Sequence, residues 1–299
     1  MTNLSAAKSG EKAEELVEPS KATQLSIVWR KLRFSKLAVA GFGLVVFMFM
    51  LALLAPVIAP YDPDWTGHRA RPPTMEHLFG TDARGRDMLT LVVYGAQISL
   101  YVGVAAVTLE ILIGLAIGMV SGYFGGLVDE VLMRITDLVL TLPTLPLLIV
   151  AIVLFETRSI HTIVLVMGIF GWPFMARVVR SEFLTLRETT FVEAARSMGA
   201  TPWRIITRHI LPNILSTIIV IATMDIAWFI FWEATLTFLG FGDPNSPSWG
   251  VLLERGYINF PSAWWIITFP GLALFFASLG FNLLGDGLRD ALDVTTRSR

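Results

Sequence analysis

Acidic side chains stand inside the apolar stretches of this chain, and they are its best-placed candidates for chemistry. Glu110 lies within an apolar run at 98–120, and Asp225 near the middle of another at 213–239. Glu233 follows Asp225 by about two helical turns, and Asn282 lies in the last run, 263–285. An ionisable group at membrane depth costs about 2.5–3.5 kcal/mol on insertion scales, so each is a functional candidate. For Glu110 and Asp225 two readings stand side by side: lining of a water-filled path, or hydrogen-bonded pairing between packed helices. Asn282 could partner either. Asp137, at the start of a further run, is read as interfacial. The histidines His68, His77, His161 and His209 are scattered and form no H-E-x-x-H pair. Cysteine is absent, which excludes disulfides and thiolate metal ligands, so no metal site is expected. Every lysine lies at or before Lys36, so the chain holds no G-x-x-x-x-G-K-[ST] phosphate loop. Any ATP used must be bound by a separate subunit.

The elements that carry these groups are membrane helices. The chain is 54% hydrophobic and only 16% charged, against roughly 25% in soluble domains. Its mean hydropathy is +0.65. A net charge of −1 suggests no nucleic-acid partner. About 20 apolar residues cross a bilayer, and about six segments qualify: 37–59, 98–120, 135–155, 160–179, 213–239 and 263–285. The third and fourth are separated only by a short turn with Glu156, Arg158 and His161, which leaves a re-entrant hairpin as an alternative. The first run is too long, and its polar lead too extended, for a cleaved signal. Residues 1–29 read as a polar flexible tail within an N-terminal segment 1–36.

Orientation follows the Lys/Arg bias. Arg30, Lys31, Arg33 and Lys36 precede the first span and place the N-terminus in the cytoplasm. Six spans return the 291–299 tail to that side. The insert at 180–212, with Arg180, Arg187, Arg196, Arg204 and Arg208, is then cytoplasmic and the 60–97 loop external. Arg69, Arg71, Arg84 and Arg86 in that outer loop weaken the asymmetry.

Within the insert, Thr190 and Glu193 have the spacing of a capping box. Phe191, Ala194, Ala195 and Met198 recur at i, i+3, i+4 and i+7, which predicts one apolar stripe. Gly199 suits a left-handed helix end, and Thr201-Pro202 suits the start of a second helix. Trp203, Ile206 and Ile210 share a face of that helix, and Pro212 opens the next span. Two short helices hinged on a glycine make a docking element.

This pattern resembles the EAA loop of ABC-transporter permeases: Glu193, Ala194, Ala195, Gly199, then Leu211 and Pro212. His209 stands where that family often has isoleucine. F-G-T-D-A-R-G-R-D at 79–87 resembles a signature of the dipeptide/oligopeptide C-subunit branch. So do L-T-F-L-G-F-G at 236–242, the following Ser248-Trp249-Gly250, and G-D-G-L-R-D-A-L-D at 285–293. The resemblance implies an all-α polytopic permease core over 98–290 in a prokaryotic cytoplasmic membrane, and no enzyme. It implies a second homologous permease, two ATP-binding subunits carrying ATP and magnesium, and an extracytoplasmic solute-binding protein. Glu193, Ala194, Ala195, Met198, Gly199, Trp203 and Ile206 would meet an ATPase subunit. Glu110, Asp225, Glu233 and Asn282 are the candidates for the translocation path. Peptides are the leading cargo, with nickel, glutathione or oligosaccharides carried by related systems. A remote alternative rests on Tyr61-Asp62 and Gly240-Phe241-Gly242-Asp243, which resemble the Y-D and G-x-G-D pairs of intramembrane aspartyl proteases.

Overall fold

The computed structural model describes residues 35–155 and 158–297. The tail at 1–29, the basic residues Arg30, Lys31 and Arg33, and Glu156 lie outside the described residues. Ser35 caps α1 (Lys36–Leu53) by accepting from the Ala38 N–H at 3.3 Å, and a short α2 (Ala55–Ile58) follows. Asp87 caps α3 (Met88–Phe124), accepting from the Thr90 N–H at 2.8 Å. The helix that holds the apolar run at 98–120 therefore starts at Met88, because its cap lies in the connector at 60–87. Helices α4 (Gly126–Thr141), α5 (Thr144–Leu154) and α6 (Ile160–Leu186) come next. The insert holds α7 (Thr190–Ser197) and α8 (Pro202–Ile205). A π-turn, Ile206–Ile210, joins α8 to α9 (Leu211–Leu236), and a second, Thr237–Phe241, ends it. Last are α10 (Trp249–Asn259) and α11 (Trp265–Arg297).

Among the described residues five helices are long and apolar enough to cross a membrane, and α4 with α5 makes a sixth span if the pair counts as one. That pair is bent by 95°. A straight third span over 135–155 is therefore not what forms. Leu142 precedes Pro143, whose ring pushes it out of the α region to φ −78°, ψ 135°. Two arginines of α6 tie α4 down: Arg180 forks onto Asp129 at 2.5 and 2.6 Å, and Arg177 meets Asp137 at 2.5 Å. Ser121 of α3 also donates to Asp129.

Helices α3 and α6 share the most extensive contact of any helix pair. Gly114, Gly118 and Gly122 recur every fourth residue and so share one face of α3. Met175, Val179 and Phe183 recur with the same period on α6 and fill that groove. A Cβ built on Gly118 would stand 2.6 Å from the Val179 Cβ. Without a hydrophobic drive inside a bilayer, such backbone proximity is what gains dispersion contact between helices. At the opposite side α11 packs along α1 and across α9.

The connector before α3 is fixed by hydrogen bonds. Asp82 is buried and accepts from the backbone N–H groups of Arg84 and Arg86, both at 2.8 Å. Its other oxygen takes the Arg86 guanidinium at 2.9 and 2.7 Å. Gly80 and Gly85 turn the chain at φ +74° and +88°. Asp82 thus pairs with one of the connector's four arginines. Arg255 of α10 lies close by and donates to the Pro244 carbonyl at 2.7 Å. Burial, then the like charges of Arg86 and Arg84, lower its pKa below the ordinary guanidinium value.

Two stability outcomes follow. Gly118→Val should destabilise the purified chain by about 1–3 kcal/mol through overpacking, while Gly43→Ala, inside α1 with open space at its Cβ, should stabilise it by about 0.5–1 kcal/mol in thermal unfolding. Asp82→Ala should cost about 1–3 kcal/mol, since it leaves the half-buried Arg86 guanidinium and two backbone N–H groups without their acceptor, and limited proteolysis should then cut the 60–87 connector first.

Candidate functional site

Glu110 of α3 and Asp225 of α9 come together in the middle of the bundle. They meet there as two carboxyl groups on one cavity wall. Glu110 is only 2% exposed. Its Oε2 and the Asp225 Oδ2 are shut off from solvent and have no hydrogen-bond partner. Both residues line a cavity of about 290 Å³ between α3, α5, α6 and α9. The wall is otherwise Thr144, Leu148, Met167, Gly171 and five aromatic side chains: Phe170, Phe174, Trp228, Phe229 and Trp232. The bend at Pro143 is what brings the start of α5 to this cavity.

The other two membrane candidates go elsewhere. Glu233 is buried beside the end of α10, where the Ser99 hydroxyl donates to its Oε2 at 3.2 Å and Ser99 accepts from the Trp249 N–H. This is a packing contact among α3, α9 and α10. Asn282 is exposed on α11 and donates to the Ser278 carbonyl of its own helix at 2.8 Å. It partners neither Glu110 nor Asp225.

The insert forms two helices on a glycine hinge, with changes of detail. Gly199 has φ +79°, and its N–H donates to the Arg196 carbonyl while that of Ala200 reaches the Ala195 carbonyl. These two bonds make a Schellman end. Thr201 precedes Pro202 as the helix boundary residue, without a side-chain cap bond. The capping box does not form: Thr189 is the N-cap, Thr190 lies inside the helix, and no side chain caps it. The single apolar stripe splits as well. Val192 and Ala195 turn inward, together with Ile205, Ile206 and Ile210. They pack on Met175, Val179 and Phe183 of α6 and on Ile214 and Ile218 of α9. Phe191, Glu193, Ala194, Met198 and Trp203 face outward. Met198 is 81% and Trp203 63% exposed. The reason is that α7 is an eight-residue helix lying on two span ends, so its inner face needs only two small side chains.

The protease geometry is not present. Asp62 accepts from the Asp64 N–H, and Asp243 from the Asn245 N–H and the Ser246 hydroxyl. Each aspartate organises its own turn. A pair that motif reading overlooked is His77 Nδ1 and Asp87 Oδ1, buried at 3.0 Å beneath Tyr61 and Trp65. The cavity's aromatic wall was equally hidden, because in sequence those residues are only apolar.

Comparison with known proteins agrees with this architecture. Residues 114–298 match the family described as binding-protein-dependent transport system inner membrane component. Residues 23–73 match the N-terminal TM domain of oligopeptide transport permease C. The dipeptide transport system permease protein DppC of Bacillus subtilis is 39% identical over 90% of this chain and 85% of its own length. The glutathione transport system permease protein GsiD of Pectobacterium atrosepticum is 38% identical over 90% of this chain and 91% of its own. Among solved structures, an inward-facing MetNI methionine ABC transporter shares the fold with a TM-score of 0.55 at 23% identity, covering 68% of this chain and 97% of that one. The family match over more than half the chain and relatives near 39% identity lead to one conclusion: this multi-pass membrane protein belongs to the binding-protein-dependent ABC-transporter permeases.

Proposed function

We propose that the chain is one transmembrane subunit of an ATP-driven importer of di- or oligopeptides. Its partners in this reading are a second permease, two ATP-binding subunits on the cytoplasmic side and an extracytoplasmic solute-binding protein. Both termini and the 180–212 insert are cytoplasmic. The observation that carries the reading is the outward face of α7 and α8, which offers Phe191, Met198 and Trp203 beside Glu193 while its inner face is packed on α6 and α9. A partner gripping that outer face would move both span ends as one body. Helices α6 and α9 also wall the Glu110–Asp225 cavity, which we take as part of the translocation path. Peptide cargo is supported by the names of the relatives. The glutathione permease at nearly the same identity fits the class, since glutathione is itself a short peptide.

The tagged chain, purified gently from its native membrane, should bring down a P-loop ATPase and a second permease. Met198→Glu puts a charge into the docking face without touching the core and should cut the recovered ATPase about tenfold, the cost of about 1.4 kcal/mol. The amount of inserted chain should not change. Equal ATPase recovery from the variant, or its absence from the parent complex, would refute the docking role.

A further inference from the structure

We infer that the Glu110–Asp225 cavity is a binding site for a primary ammonium group, the free amino terminus of a transported peptide. The inference rests on the path reading above and adds the chemistry that the path selects. Two carboxyl oxygens, one from each residue, are buried in the cavity wall without a partner. Leaving such acceptors unpaired is costly, and a charged donor relieves the cost more than a neutral one. None of the residues lining the cavity is lysine, arginine or histidine, so the protein supplies no cation of its own there.

The donor count fits an amine. An ammonium group has three N–H donors in a compact head. Glu110, Asp225 and Thr144, three residues with side-chain acceptors, line the same cavity. A hard divalent cation fits worse, because calcium takes six to eight oxygen ligands. No cluster of three or more metal-ligating side chains occurs among the described residues. The remaining wall is aromatic, with Trp228 and Trp232 stacked at a ring separation of 6.5 Å. Aromatic faces attract cations and accommodate varied apolar groups. At about 290 Å³ the cavity lies near the lower bound of small-ligand sites. It holds the amino-terminal end of a peptide rather than a long chain, which suits a carrier that must accept many side chains.

The natural lack of cysteine permits a direct test. Phe174 lines the cavity and is 56% exposed, so Phe174→Cys reports on occupancy through its rate of maleimide labelling. The whole transport complex is placed in nanodiscs without binding protein, and labelling of this chain is followed by mass spectrometry. The probes are alanyl-alanine and N-acetyl-alanyl-alanine at millimolar concentration. The free-amine dipeptide should protect the cysteine, and acetylation should weaken its apparent affinity about tenfold, as expected for one charge-assisted hydrogen bond. Adding Glu110→Gln or Asp225→Asn should abolish the difference between probes. Co-purification of the partner subunits checks that each variant is assembled. Equal protection by both probes, or a preference that survives both substitutions, overturns the inference. Uptake by proteoliposomes carrying the labelled cysteine tests the path separately. If the adduct blocks uptake but the probes protect equally, the path stands and the ammonium assignment falls. If the adduct leaves uptake intact, the path reading falls, and the assignment to a transported substrate falls with it.

Discussion

The close approach of α3 and α6 is the constraint on which the rest depends. Three glycines on α3 receive Met175, Val179 and Phe183 of α6, and backbone nearly touches side-chain stem at each step. In a bilayer this contact has no hydrophobic substitute. It sets the depth of Glu110, one turn before Gly114, against the α6 residues that wall the cavity. It also sets the end of α6 from which the α7–α8 insert departs.

One continuous stack of apolar residues then links the glycine groove to the α7–α8 insert. Phe183 and Val179 touch the glycine groove on one side and belong on the other to the cluster with Val192, Ile205, Ile206 and Ile210. Well-packed clusters move as bodies, not by continuous deformation. The insert therefore packs on α6 and α9 together, the two helices that carry most of the cavity wall. The ion pairs from Arg177 and Arg180 extend the same body to α4 and the bend at Pro143.

Much of this was legible in the sequence, for stated physical reasons. Hydropathy located the spans because the bilayer demands long apolar helices. Gly199, Thr201-Pro202 and Pro212 marked their boundaries because each residue type restricts the backbone locally. Other features depended on tertiary placement. Thr189 rather than Thr190 became the cap, because burial of Val192 and Ala195 set the phase of α7. The pairing of Glu110 with Asp225, the diversion of Glu233 to Ser99 and the isolation of Asn282 follow from helix rotation, which hydropathy does not encode. The broken third span was visible only as Pro143, whose effect hydropathy averages away.

The central claim is that an ATP-hydrolysing partner covers the outer face of the insert. A single cysteine at Met198, in a chain that otherwise has none, measures this by thiol accessibility in the purified complex and in the isolated chain. The account predicts fast labelling of the isolated chain and strong protection in the assembled complex. Equal labelling in both states would contradict it.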